Sequence, residues 1–151
     1  SPGHNYFGHH EKPAGTHEIV ECDELELIAG RGIAGDRFLD FKSDYKGQIT
    51  FIDQSVVDAV REHAHDPGLS SGAFRRNVVI AGLDLNSLIG RTFRLGGLLF
   101  EGTQECKPCY WMDAACGTPG TEDLMKGRGG LRCRILESGR LHLGPVQWEL
   151  A

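Results

Sequence analysis

"RTFRLGGLLFEGT", residues 91–103, reads as two β arms folded about Gly96-Gly97. That dipeptide supplies the positive φ angles a tight hairpin turn requires, and the flanking Phe, Leu and Thr residues favour strands. Upstream, NVVIAG (77–82) is a further short strand ending at a glycine turn, followed by a short helical turn expected around Leu85 to Leu88. QITFI (48–52) reads as a strand, and HEIVECDELELIAG (17–30) sets Leu25 and Leu27 against Glu24 and Glu26, the alternation of a half-exposed strand. Downstream, LRCRILE (131–137) and RLHLG (140–144) are expected to close as a hairpin about Ser138-Gly139. One helix stands out. Asp53 is placed to cap QSVVDAVREHA (54–64), where Val56, Val57, Val60 and Ala64 recur at helical spacing before Asp66-Pro67-Gly68 stops the run. TEDLMK (121–126) reads as a shorter helix with Gly127 at its C′ position. Short strands punctuated by 21 glycines, with one clear helix, predict a mainly β fold, a barrel or curled sheet with a few short helices, rather than a doubly wound α/β layout.

The 151 residues, 40% hydrophobic and 25% charged, suit a single domain over 1–151, with 1–16 a candidate N-terminal arm. A net charge of −5 and a pI near 5.8 argue against a nucleic-acid or anionic-membrane partner, which would select a basic surface. No run reaches the roughly 20 apolar residues that cross a bilayer, and the first residues lack the basic-then-apolar pattern of a signal peptide. A cytoplasmic location is the expectation. The odd number of cysteines, five, disfavours a disulfide framework. Cys133 shares a strand face with Leu131 and Ile135, opposite Arg132 and Arg134, and is expected in the core. Cys22, in a strand-like run, is expected there too.

Cys106, Cys109 and Cys116 follow the second hairpin arm, in a segment rich in Pro and Gly. A structural zinc site would want four ligands, and only one Cys-x-x-Cys pair is present. A thioredoxin-like redox site would need a substantial helix after the motif, whereas Gly117-Thr118-Pro119-Gly120 arrives within two turns. A soft thiolate ligand or nucleophile, favoured by Lys107 and nearby arginines, is the third reading, and two loop cysteines without a role the fourth. KGRGGLR (126–132) puts three glycines beside Lys126, Arg128 and Arg132, either as a cradle for a phosphate or pterin or as a helix end turning into a strand. With FRRN (74–77) and GIAGDR (32–37), it concentrates basic groups within an acidic chain, as binding a polyanionic cofactor would require. No Walker loop, Ser-His-Asp order or paired-carboxylate motif stands out. His4, His9, His10 and His17 crowd the first seventeen residues and read as a solvated arm in preference to a metal site.

GIAGDRF (32–38), FRRNVVIAGLDLNSLIGRTFRLGG (74–97), CKPCYWMD (106–113) and GRGGLRCRILESG (127–139), taken in that order, resemble the MOSC domain, named for the C-terminal domain of molybdenum cofactor sulfurase. The resemblance implies a β-barrel-like fold with a cleft for the molybdenum cofactor, molybdopterin. It places the family's Pro-Cys pair on Pro108-Cys109, which makes Cys109 the expected working thiol and metal ligand and Cys106 a secondary thiol. The family's arginines carry over to Arg37, Arg76 and Arg128, with Arg75 the neighbour alternative to Arg76, and with Asn77 and Gly129 nearby. Lys126 and Gly130 complete the expected cofactor-binding set. The activity implied is reduction of N-hydroxylated or related small substrates, with electrons from an external reductase. The alternative is a sulfur carrier or cofactor-delivery protein holding a persulfide on Cys109, supplied by a sulfur donor protein. A zinc-binding structural module stands third. Pyridoxal phosphate is not expected, because this chain does not carry the desulfurase portion of the sulfurases.

Overall fold

The computed structural model describes residues 1–3 and 15–151. His4, His9 and His10, and most of the candidate arm, lie outside the described residues. Among the described residues nine strands run in chain order as β1 (Glu24–Ile28), β2 (Gly32–Ile33), β3 (Ile49–Asp53), β4 (Val78–Ile80), β5 (Thr92–Leu95), β6 (Leu98–Glu105), β7 (Leu131–Ile135), β8 (Gly139–His142) and β9 (Trp148–Leu150). Three helices, α1 (Gln54–His63), α2 (Trp111–Ala115) and α3 (Thr121–Met125), interrupt them, with 3-10 turns at Ser71–Phe74 and Leu85–Leu88.

The central hairpin forms about Gly96 and Gly97, whose φ angles of 58° and 80° are the left-handed values that a side chain would oppose. Its register sets Phe93 opposite Phe100 and Leu95 opposite Leu98. Phe93 and Phe100 stack with ring centroids 5.7 Å apart, and Phe51 meets Phe100 edge-on at 5.8 Å. Around this aromatic cluster a six-stranded sheet runs β4-β3-β7-β6-β5-β9, and a three-stranded sheet runs β2-β1-β8. Leu27, Ile33 and Leu141 from the small sheet join Ile49, Phe51, Phe93, Leu95, Phe100, Leu131, Cys133 and Ile135 from the large one in a single core. The result is a curled half-barrel, mainly β with short helices.

Only β3 and β4 pair in parallel. β3 ends at Asp53, whose carboxylate accepts from the Ser55 N–H at 2.8 Å and starts α1 at once, so the chain must cross back over the sheet to reach β4. Val56, Val57 and Val60 of α1 pack with Ile52, Phe74, Met112, Cys116 and Met125 in a second core on the other face of the sheet. β3 is thus covered on both sides at its α1 end. Thr50, two residues before Ile52 and on the same face, escapes the helices, and the register places Arg132 beside it and Gln104 beyond. A polar strip therefore borders the helical layer.

Two expectations need correction. β7 pairs with β3 and β6, whereas β8 crosses to β1, so residues 131–144 form no closing hairpin. The Ser138 hydroxyl accepts from the Ala29 N–H at 2.8 Å and steers the chain into the small sheet. Cys22 is exposed, because the strand expected over 17–30 begins only at Glu24. Short elements with weak patterns were not anticipated: the two-residue β2, the exposed β9 and α2.

Candidate functional site

Residues 74–77 turn sharply where the first 3-10 turn hands over to β4. Phe74 is fully buried, and Arg75 then adopts a left-handed backbone, φ 60° and ψ 25°. For a residue with a Cβ, that conformation costs roughly 1–2 kcal/mol, and such strain concentrates at functional positions. The turn sends two neighbouring guanidinium groups into different surroundings.

Arg76 is fully committed to the fold. Its Nε donates to the Gly129 carbonyl at 2.8 Å, Nη1 to the Phe74 carbonyl at 2.8 Å and Nη2 to the Cys106 carbonyl at 3.0 Å. One cation thereby ties together the arginine turn, the glycine loop and the start of the cysteine loop. Arg75 is the opposite case. Its Nη1 and Nη2 atoms are buried and have no hydrogen-bond partner among the described residues. Burial, reinforced by the nearby Arg37 charge and only partly offset by Asp36, pulls its pKa down to about 10. Leaving buried charge-bearing donors unsatisfied is costly, and an anion is the group that relieves the cost.

Arg37 lies 3.7 Å from the Asp36 carboxylate, with its guanidinium 4.8 Å from the centroid of the Phe38 ring. Tyr45 stacks on Phe38 at 5.6 Å. Burial raises the Tyr45 pKa, Arg132 and Arg37 oppose the rise, and Cys106 adds to it. Tyr45 therefore links the basic groups to the cysteine loop. It carries no motif, so sequence reasoning passed over it; the Arg132 alternation in LRCRI was the one available signal at this face.

The cysteine loop runs between β6 and α2. The Cys106 N–H donates to the Gly130 carbonyl at 2.7 Å, and the backbone from Cys106 to Pro108 lies directly against Gly129. A Cβ at Gly129 would stand 2.2 Å from the Cys106 carbonyl oxygen and 2.7 Å from Pro108 Cδ; one at Gly130 would stand 2.2 Å from the Phe51 carbonyl oxygen. Both glycines are required by backbone approach. Cys106 is buried and Cys109 half-buried. Burial pushes the Cys109 pKa up, the Trp111 N–H and Arg76 pull it back, and Glu122 and Cys106 push it further. The expectation that Lys107 and the arginines hold this thiol as a thiolate is thus reversed by desolvation. Cys116, packed beneath α2, rises to about 11, chiefly through burial.

Cys106, Cys109, Arg37, Arg75, Arg76, Gly129 and Gly130 come together through these contacts. Asn77 serves the sheet: its Oδ1 accepts from the Thr50 N–H at 2.8 Å and the Thr50 hydroxyl at 2.9 Å. Lys126 is exposed and paired with Asp123 at 2.7 Å, and the exposed Arg128 donates through Nε to the Leu124 carbonyl at 2.9 Å. Gly127, with φ 77°, terminates α3 as the sequence predicts.

Comparison with known proteins bears on this arrangement. The YuaD protein from Bacillus subtilis superposes with a TM-score of 0.69 at 19% identity, over 84% of each chain. YiiM from Escherichia coli gives 0.66 at 22% identity, over 87% of this chain and 64% of that one. YiiM from Geobacillus stearothermophilus gives 0.60 at 21%, over 70% and 55%. At these identities the likeness concerns the fold, and this chain spans about two thirds or less of either YiiM's length. No curated protein matches the chain. The sequence model of the MOSC domain matches residues 32–146, which include the arginine turn, the cysteine loop and the glycine loop. The chain belongs to the MOSC domain family, a family associated with binding of the molybdenum cofactor.

Proposed function

We propose that this protein binds the molybdenum cofactor, with Arg75 and Arg37 holding its phosphate and the Cys109 sulfur ligating the metal. It would act as a cytoplasmic oxidoreductase on N-hydroxylated or related small substrates, fed by an external reductase. The observation that carries the reading is the Arg75 guanidinium, whose two terminal nitrogens are buried with no hydrogen-bond partner among the described residues. A phosphate monoester offers two oxygens that accept in parallel from the planar fork of a guanidinium, and Cys109 is the soft donor such a metal prefers. The residues present therefore fit the group.

When bound, the cofactor supplies the two-electron redox chemistry, while the protein supplies binding, orientation and electrostatics. Arg76 holds the cysteine loop against the glycine loop, so the Cys109 thiol is positioned before any ligand arrives. Because burial raises the Cys109 pKa, ligation must displace its proton, and loading is favoured as pH rises. Burial raises the Tyr45 pKa further above its ordinary value, so its hydroxyl keeps its proton as a donor.

Nothing specific favours the sulfur-carrier alternative, since a free carrier thiol profits from a lowered pKa and that of Cys109 is raised. The zinc module has no support among the described residues, where no group of three or more Cys, His, Asp or Glu converges on a metal position.

Production in a host that makes the cofactor, followed by assay of molybdenum and pterin, tests the proposal. Both are expected with the wild type, loss of both with Arg75→Met, and retention of pterin without stable metal ligation with Cys109→Ser. Wild-type protein free of pterin, when a cofactor-binding member prepared in parallel carries it, overturns the reading.

A further inference from the structure

The arginines within the strands are treated unequally. Arg94 pairs with Glu137, Arg134 with Asp44 and Glu101, and Arg140 with Glu24. Arg132, half-buried in β7, forms neither a hydrogen bond nor an ion pair through its side chain among the described residues. The chain carries 21 acidic residues against 16 basic ones, so carboxylates are not in short supply. Register sets Arg132 opposite Thr50 on one side and Gln104 on the other. Thr50 is spent on Asn77, whereas the half-buried Gln104 amide, like Arg132, is without a partner among the described residues. The loop before β3 runs across this pair. Asp44 is held 2.9 Å from Arg134, and the Thr103 hydroxyl lies 2.6 Å from the Lys46 carbonyl and 2.9 Å from that of Arg132. Tyr45, between Asp44 and Lys46, therefore crosses β7 beside Arg132. Its ring is fixed by the stack on Phe38 at 5.6 Å and by Gly47, where a Cβ would stand 3.2 Å from the Tyr45 hydroxyl. That hydroxyl is also without a hydrogen-bond partner among the described residues, and Arg132 is the charge that acts on it most strongly.

We propose that Arg132, Gln104 and Tyr45 form a second anion subsite, which binds the carboxylate of a small organic acid and thereby selects an acidic substrate. A guanidinium donates two parallel bonds to one carboxylate, and an amide NH2 and a phenol add neutral donors at its flank. Charge count selects the group. Arg132 is one cation beside two neutral donors, so a monoanion neutralises it and a phosphate dianion leaves a charge over. Arg75 and Arg37, two cations that act on each other, suit the phosphate instead. The distinction matters because unmatched charge is costly where solvent is partly excluded. Position in the fold agrees with this division. Gln104 and Arg132 stand two residues along their strands, roughly 7 Å, from Cys106 and Gly130, whose backbones are joined by a hydrogen bond of 2.7 Å. The subsite thus borders the start of the cysteine loop, and the Tyr45 ring gives the organic part of the acid an apolar surface next to the cation.

Only the assignment of the acid to the substrate rests on the cofactor-binding reading; the subsite itself does not. Benzoate is titrated calorimetrically into the full chain without cofactor, and pyrophosphate in parallel. Loss of a charged donor predicts that Arg132→Met binds benzoate about tenfold or more weakly with pyrophosphate unchanged, and Arg75→Met should do the reverse. Tyr45→Phe and Gln104→Leu keep the cation and should each weaken benzoate several-fold, again without touching pyrophosphate. Wild type that binds no benzoate, or Arg132→Met that binds it as tightly as wild type, overturns the proposal. So does loss of both probes together in Arg132→Met and in the milder Gln104→Leu, which would mean a single merged site. Turnover by the loaded protein then identifies the source of the acid. The KM of para-hydroxyaminobenzoate should lie well below that of its methyl ester, and the gap should close in Arg132→Met. Equal KM values, or benzoate binding lost on cofactor loading, refute the substrate assignment and leave the subsite to an acidic group of the cofactor. A chain that takes up no cofactor overturns the proposed function and that assignment with it, while the titrations decide the subsite by themselves.

Discussion

Arg75→Met removes a buried cation and keeps most of the aliphatic stem, so it isolates the charge. In the folded chain the guanidinium pKa falls from 12.5 to about 10. At about 1.36 kcal/mol per unit, the unscreened penalty would be about 3 kcal/mol. The residue as a whole is only half-buried, although its two terminal nitrogens are covered, and screening reduces the figure to about 1–2 kcal/mol. For a chain of this size about 1 kcal/mol moves the melting temperature by roughly 2–4 °C, so the variant should melt roughly 3–6 °C above wild type. The ligand response should move the other way. Pyrophosphate at about one hundred times its Kd stabilises a binding protein by about 2.7 kcal/mol, and Arg75→Met should lose that increment. Arg75→Gly should lose it too and gain further stability, because glycine relieves the left-handed backbone at φ 60°. Thermal denaturation with and without inorganic phosphate and pyrophosphate reads all three proteins. A less stable Arg75→Met variant that still responds fully to pyrophosphate would show that this cation is satisfied as it stands and binds no phosphate.

Arg76→Met strips three backbone carbonyls of a charged donor and should cost about 3 kcal/mol or more, seen in urea denaturation, with faster alkylation of Cys106 as the loop loosens; a cost below about 1 kcal/mol would mean the three bonds do not act together. Gly129→Ala drives a methyl group to 2.2 Å from the Cys106 carbonyl, and overpacking of this kind costs about 1–3 kcal/mol, so stability and cofactor loading should both fall while Gly97→Ala, whose cost is confined to the hairpin, leaves loading intact. The buried Cys116 thiol keeps its proton up to about pH 11 in the folded chain, against 9.0 as its ordinary value. Its contribution is full below about pH 9 and is lost as pH climbs through 11, since the unfolded chain sheds the proton first. Urea midpoints should therefore drop between about pH 8 and pH 10.5, less steeply in Cys116→Val; a midpoint that rises over that interval contradicts the burial of this thiol.

Periodicity carried the long elements well. α1 announces itself through Asp53 and three valines at helical spacing, and the central hairpin through two adjacent glycines flanked by strand formers. These signals are local, and a few residues suffice to express them. Strand pairing is not local. LRCRILE and RLHLG look like hairpin partners because they are adjacent in sequence, but Leu131, Cys133 and Ile135 find their apolar surface against β3 and β6, and Leu141 finds its own against β1. Cys22 sits in a strand-like run that has no sheet to join, so its thiol stays in solvent.

The same division runs through the site. The sequence by itself determined a mainly β chain, its family, and that Cys109 follows a proline in a glycine- and arginine-bordered loop, because residue types and spacings state these things directly. It could not separate Arg75 from Arg76, two identical side chains in adjacent positions. Tertiary structure decided that, through a left-handed turn that spends one guanidinium on three carbonyls and leaves the terminal nitrogens of the other buried without a hydrogen-bond partner among the described residues. It likewise decided the direction in which the Cys109 pKa moves, since desolvation depends on what the whole chain packs around a thiol and here outweighs the pull of Arg76.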